Sequence, residues 1–341
     1  MLRRISAILI ILGGLALLVV PVAEHVWTGA PPAKQMIDSF TPVMTSQSLG
    51  IIQSDLSQLA AADNQLSNQT MPALAGQLHM TPAQLQSAMA TNFPAVATGM
   101  AQLPGILTHF DTYGGLLQSQ LANFQEASTI PVKGVPLTVL PYGLALVGVL
   151  ALGLGVLMLI RPGRGPALGA LALGVVVIVA SLALSFPHKA VSADHMITGL
   201  KPVMTTQSVD GMGQSLQVVS AMINQMEGQM LPYVATQLHM APTVFGAFLQ
   251  TQFPAVGTAL QHMPTTLATF AAIHDRLAAN ISNYSQAAQI PSMTFLIWLF
   301  IGVGAIALLG GALGAFSSAS SGGTAELRSK ESNGTLQGAK G

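Results

Sequence analysis

The sequence predicts an all-α membrane protein with four transmembrane helices and two duplicated extracytoplasmic helical-bundle lobes, a tandem repeat of period about 160. Three observations carry that expectation. The 341 residues are 51% hydrophobic and only 7% charged, where a soluble domain is about a quarter charged. Four stretches are long and apolar enough to cross a bilayer, which takes about 20 residues each. Finally, whole blocks of sequence recur about 160 positions apart.

Composition excludes several classes at once. Disorder over most of the chain would need low hydrophobicity and high charge. With 12 basic and 12 acidic residues there is no net charge, so the basic face of a nucleic-acid binder is missing. With no cysteine in the chain, disulfides, thiolate chemistry and iron–sulfur clusters are excluded.

Residues 1–23 hold the N-terminus and the first expected span, whose apolar run starts at Ile5. Arg3 and Arg4 before an apolar run also suit a signal peptide, and Pro21-Val22-Ala23 is a fair cleavage match. The repeat decides for a retained span. Residues 24–135 form the first lobe, 136–160 the second span, 161–166 a tight turn, 167–186 the third span, 187–292 the second lobe and 293–316 the fourth span. None of the four spans contains Asp, Glu, Lys, Arg or His, which weakens a pump or ion-coupled transporter reading. Arg3 and Arg4, Arg161 and Arg164, and Arg328 and Lys330 all fall on one side if every span crosses. The positive-inside rule then makes both termini and the turn cytoplasmic. Residues 317–341, rich in Ser and Gly, read as a disordered cytoplasmic tail.

The duplication rests on matched blocks. MIDSFTPVMTSQS from Met36 matches MITGLKPVMTTQS from Met196, and MPALAGQLHMTP from Met71 matches LPYVATQLHMAP from Leu231. TNFPAVAT from Thr91 matches TQFPAVGT from Thr251, and Pro131 matches Pro291. The spans are expected to follow the same offset, first with third and second with fourth. Gly165-xxx-Gly169 and Gly310-xxx-Gly314 are the available small-residue pairs for close helix approach.

Both lobes are rich in the helix formers Ala, Gln, Leu and Met. In the first lobe the pattern predicts a long helix over about 34–68, short ones near 71–79, 82–92 and 94–100, and a last one over about 104–128. Proline supplies the punctuation. Leu103, Ile106, Leu107, Phe110, Leu117, Leu121 and Phe124 form a stripe expected in the core, matched by Met263, Leu267, Phe270, Ile273, Leu277, Ile281 and Tyr284. The QLHMxP element reads as a helix–turn–helix joint, with His79 able to cap through its imidazole. Phe93 and Phe253 read as buried anchors of a second joint.

His-Met dipeptides are the most suggestive local chemistry, at His79-Met80, His195-Met196, His239-Met240 and His262-Met263. Imidazole and thioether suit copper. Adjacent helical residues point about 100° apart, so only a convergent cluster would bind. Scattered methionines are also ordinary core filler. The expectation is therefore no metal and no cofactor, with His79, Met80, His239 and Met240 the candidate copper ligands. No G-x-S-x-G, H-E-x-x-H or phosphate-loop pattern sits where it could act. Outer acids such as Asp111 and Glu126 face neutral Ala271 and Gln286 in the repeat, so no shared acid–base pair forms. Catalytic residues are not expected, nor is an enzyme.

The leading expectation is a non-enzymatic bacterial plasma-membrane protein, a scaffold or accessory subunit. It would present two lobes to a protein or lipid partner, or to a second copy. Three alternatives stand beside it: a carrier of a lipid or hydrophobic molecule, extracytoplasmic copper handling, and an oligomeric channel. Membrane lipids are expected partners and nucleic acid is not.

Overall fold

The computed structural model describes residues 2–161 and 164–337. These are almost entirely helical, and among the described residues there is no strand. In chain order the helices are α1 (Leu2–Ala23), α2 (Val26–Phe40), α3 (Ser46–Gln65), α4 (Met71–Gln77), α5 (Pro82–Asn92), α6 (Pro94–Ala127), α7 (Leu140–Ile160), α8 (Arg164–Ala183), α9 (Phe186–Leu200), α10 (Thr206–Gln225), α11 (Leu231–Gln237), α12 (Pro242–Gln252), α13 (Pro254–Ala287) and α14 (Met293–Gln337). Single π-helical turns, Leu66–Thr70 and Met226–Met230, join α3 to α4 and α10 to α11. A 3-10 turn, Leu137–Val139, leads into α7. Pro162 and Gly163 of the expected tight turn lie outside the described residues, as do 338–341.

Several expected boundaries move, each for a local reason. The single helix expected over 34–68 is broken between α2 and α3. Pro42 follows a residue it pushes out of helical geometry, and Thr45 turns extended to cap α3. Its hydroxyl accepts from the Ser48 amide at 3.0 Å, and the Ser48 hydroxyl donates to the Pro42 carbonyl at 3.2 Å. Thr205, Ser208 and Pro202 build the same joint before α10. The recurring PVMT(S/T)QS block is thus a turn with its cap. Conversely, Pro104 does not separate two helices; α6 runs through it. Leu103, Ile106 and Leu107 are buried on either side of it, and their shared face holds the flanking turns in line against the cost of the proline. The tail expected to be disordered continues α14 as helix to Gln337, since extending an existing helix needs no new nucleus.

One compact unit comprises Met1–Gln35, Asn123–Ile197 and Ser285–Gly341. It contains four helices long and apolar enough to cross a membrane: Arg3–Ala23, Leu137–Ile160, Arg164–Ala183 and Met293–Ser317. Within it α1 packs along α7, α8 along α14, and α1 along α14. Missing side chains set these approaches. A Cβ on Gly14 would lie 2.7 Å from the Gly148 carbonyl oxygen, and one on Gly155 would lie 3.0 Å from the Ala7 carbonyl oxygen. In the other pair Gly174 meets Gly304 and Leu308, and Gly311 meets Ala167. Backbone-to-backbone contact of this kind is how small residues hold apolar helices together where no hydrophobic drive exists between them. Of the glycines singled out from sequence, Gly165 faces open space and Gly169 touches only the Leu154 side chain. Gly310 and Gly314 do pack, against Ile10 and Ser6 and against Met158 and Ala167.

The same contacts correct the expected offset. Gly14 and Gly174 are 160 apart, but their partners Gly148 and Gly304 are 156 apart. Residues 132–135 are extra in the first half, so α7 matches α14 four positions out of register with the preceding segments. Polar anchors tie the ends. Arg3 donates to the Met158 and Arg161 carbonyls at 2.5 and 2.8 Å, satisfying orphan acceptors at the α7 C-terminus. Asp194 on α9 accepts from the Met293 and Thr294 amides at 2.7 and 3.1 Å and from the Ser292 hydroxyl at 2.5 Å, capping α14. The position matched to Asp194 is Lys34, which has no acceptor to offer.

Met36–Ala122 and Thr198–Tyr284 form the second compact unit. The two lobes expected at 24–135 and 187–292 are therefore not separate bodies. Their buried residues mix in one core: Leu74, Phe93 and Val96 from the first half lie with Met222, Phe245 and Leu249 from the second. Phe93 and Phe253 are buried as expected. Phe110 and Phe270, matched positions, stack on each other at 4.8 Å and 14°. A residue meeting its own counterpart marks a two-fold-like axis. The caps are exchanged across it. Gln65 Oε1 accepts from the Ala255 and Val256 amides at 2.9 and 3.2 Å. Gln225 Oε1 accepts from the Ala95 and Val96 amides at 2.7 and 3.1 Å.

Two outcomes follow for stability. Gly14→Ala is expected to destabilise the protein by about 1–3 kcal/mol through overpacking, whereas Gly153→Ala, with open space around it, is neutral; thermal unfolding in lipid nanodiscs compares them. The double variant Gln65→Ala/Gln225→Ala leaves four helix-start amides without their acceptor and is expected to cost about 1–3 kcal/mol per site. Hydrogen exchange should then quicken at Val96 and Val256 before it does at Leu49.

Candidate functional site

The mixed core of the second unit is not filled. It holds a cavity of about 180 Å³ lined from both halves. The lining is apolar almost throughout, and eight of its residues are methionines, four from each half. Methionine is unbranched and polarisable, so it fits irregular or changing shapes at little cost. The lining methionines are not matched with one another: Met71, Met89 and Met100 correspond to Leu231, Leu249 and Leu260, and Met226 and Met263 to Leu66 and Leu103.

One pair of positions differs in packing between the halves at the cavity. The Met222 side chain lies directly over Gly99, where a Cβ would come within 2.6 Å of it. The matched residues are Ala62 and Ala259. Both line the cavity, and neither side chain reaches as far as methionine. The Ala62–Ala259 pair thus places less side chain at the cavity than a Met222–Gly99 pair would.

Asp63, beside Ala62 on α3, is the acid in this lining; the remaining polar members are neutral, among them Thr70, Asn92 and Tyr233. Its matched residue is Ile223, buried in the core. Burial pushes the Asp63 carboxyl above its ordinary value of 3.8. Elsewhere in the unit Asp55 accepts from the Thr266 hydroxyl at 3.0 Å. No hydrogen bond or ion pair to the Asp63 carboxylate is found among the described residues. Two aromatic rings at the cavity, Phe93 and Tyr233, meet edge to face at 5.5 Å. Sequence reasoning missed the cavity and Asp63. The available signal was an acid opposite an isoleucine in matched helices.

The four His-Met candidates are placed differently. His79 and His239 are exposed and sit in left-handed backbone at φ 58° and 56°. Each ends its helix with its backbone, not its imidazole. The Met80 amide donates to the Ala75 carbonyl at 2.8 Å and the His79 amide to the Gly76 carbonyl at 3.2 Å, and Met240 and His239 repeat the pattern. Met80 lines the cavity and Met240 packs against the core. Among the described residues no three or more His, Asp or Glu side chains gather as a metal would need. Thr81 and Gln84 form a full capping box at α5, while Ala241 gives α12 no side-chain cap.

Compared with known proteins, the chain matches no family model and no curated protein. Its chemistry must therefore be read from the cavity alone: an adaptable apolar interior with one acid.

Asp63 gives the site a pH signature. Its native pKa is raised, so the folded protein holds this proton to higher pH than the unfolded chain. The stability it contributes is present below the unfolded value and is lost as pH rises through the native one. Thermal melts from about pH 4 to about pH 7 should show that loss in the wild type. Asp63→Asn should flatten that part of the profile and be the more stable protein at neutral pH.

Proposed function

We propose that this is a multi-pass bacterial plasma-membrane protein that binds a small hydrophobic molecule in its extracytoplasmic unit. The carrying observation is the methionine-rich cavity of about 180 Å³. A cavity of about 150 Å³ lined by apolar side chains is enough to hold benzene, so this one suits a body of roughly six to eight carbons. It is too small to enclose a whole phospholipid. Polar groups are few, as in pockets that bind by shape and apolar burial.

Other observations support the setting. Arg3 lies against the end of α7 beside Arg161, which puts basic residues together at one end of the spans, as a cytoplasmic end has. At the other end Trp27 and Tyr142 meet edge to face at 4.7 Å, and Trp298 is exposed near the start of α14. Such rings suit the headgroup level of a bilayer. Cysteine-free, Ala- and Gly-rich outer segments suit a bacterial envelope. The matched blocks read as a duplication whose products closed one shared core. A ligand-binding role is favoured over a partner-presenting scaffold because, among the described residues, the exposed large apolar side chains of this unit are few, namely Ile51, Met80, Tyr233 and Val244. A docking face would gather more of them into one patch.

The test copies the filled half onto the open one. Ala62→Met/Ala259→Gly reproduces the Met222–Gly99 pairing and should narrow the cavity without loss of fold. In nanodiscs, with empty nanodiscs as the blank, wild type should broaden the fluorine-19 NMR line of 4-fluorotoluene, an apolar probe small enough for a cavity of about 180 Å³. The double variant should bind it about tenfold more weakly or worse. No binding by the wild type would defeat the reading.

A further inference from the structure

The nature of the ligand can be taken one step further, resting on the reading of the cavity as a binding site. Asp63 lines that cavity, yet among the described residues no Lys, Arg or His does, and the matched half carries Ile223 at the same place. A neutral apolar occupant would strip water from this carboxylate and give nothing back, which is costly. A carboxylic acid would add like charge. A positively charged head returns to Asp63 what the occupant's apolar body takes away, through a charge-assisted hydrogen bond or ion pair. The aromatic rings of Phe93, Tyr233 and Phe245, also in the lining, attract cations by their faces. We propose that the cavity takes an organic ammonium ion with a short apolar body, its nitrogen anchored by Asp63 and its carbons lying among the methionines.

Three probes of equal length separate the possibilities: octylamine, octanol and octanoate. Each is titrated against bound 4-fluorotoluene, followed by its fluorine-19 NMR line width, on the full chain in nanodiscs of zwitterionic phosphatidylcholine. Octylamine is expected to displace the probe at about tenfold lower concentration than octanol, the usual worth of a charged hydrogen bond. Octanoate should be the weakest of the three. Asp63→Asn, close in shape, removes both the anchor and the carboxylate's desolvation cost, so octylamine should weaken, octanol should tighten, and the two should fall within about twofold of each other. Equal potency of amine and alcohol on the wild type, or an amine preference that survives Asp63→Asn, would overturn the proposal while the cavity remained a binding site. Failure of 4-fluorotoluene itself to bind would remove both readings together.

Discussion

The first amides of α6 and α13 have no acceptors within their own helices, as at every helix start. Each helix follows its predecessor after a single phenylalanine, so no short polar residue stands there to act as a cap. Gln65 and Gln225 supply the acceptor, each to the helix of the opposite half. That exchange fixes the rest of the unit. It brings α3 of one half against α13 of the other, sets Phe110 on Phe270, and forces the two apolar stripes to face one another. Neither half could bury its stripe alone without leaving its longest helix uncapped. A π-helical turn follows each glutamine directly, Leu66–Thr70 after Gln65 and Met226–Met230 after Gln225.

In the span unit the corresponding constraint is steric. Gly14 on Gly148 and Gly174 on Gly304 let backbones touch, and any side chain there would separate the helices. The four additional residues at 132–135 are absorbed before α7, in a stretch where the chain is turning anyway. The glycine contacts are thereby kept although the offset changes. Conserving the contact and shifting the register costs less than opening the interface, because a loop tolerates extra length at little entropic cost.

Near-symmetry makes the cavity informative. Two matched halves pack into one core, so a well-filled site on one side predicts a filled site on the other. Met222 packs over Gly99, while the matched Ala62 and Ala259 line the cavity. Asp63 opposite Ile223 breaks the match again in the same place. Departures from two-fold matching that coincide with a cavity are where function is expected to reside, because packing alone would have kept both sides alike.

The sequence by itself determined the helical class, the four apolar spans, the matched blocks, and local devices whose causes lie within a few residues. The helix starts at Pro82 and its counterpart Pro242 were legible because proline acts within its own turn. The buried phenylalanines were legible because helical periodicity shows which face is apolar. Tertiary structure decided what depends on residues far apart. Pro104 stays inside a helix because its flanking side chains share a buried face. His79 takes left-handed backbone where glycine would be expected, so its imidazole is free of the cap. The two lobes became one unit because their apolar stripes complete each other, and whether such stripes meet within one half or across two is not written in their period. The cavity lies further still from the sequence, since a void is the difference between two packings. Only when Ala62 and Met222 are seen in matched places does the missing volume become visible.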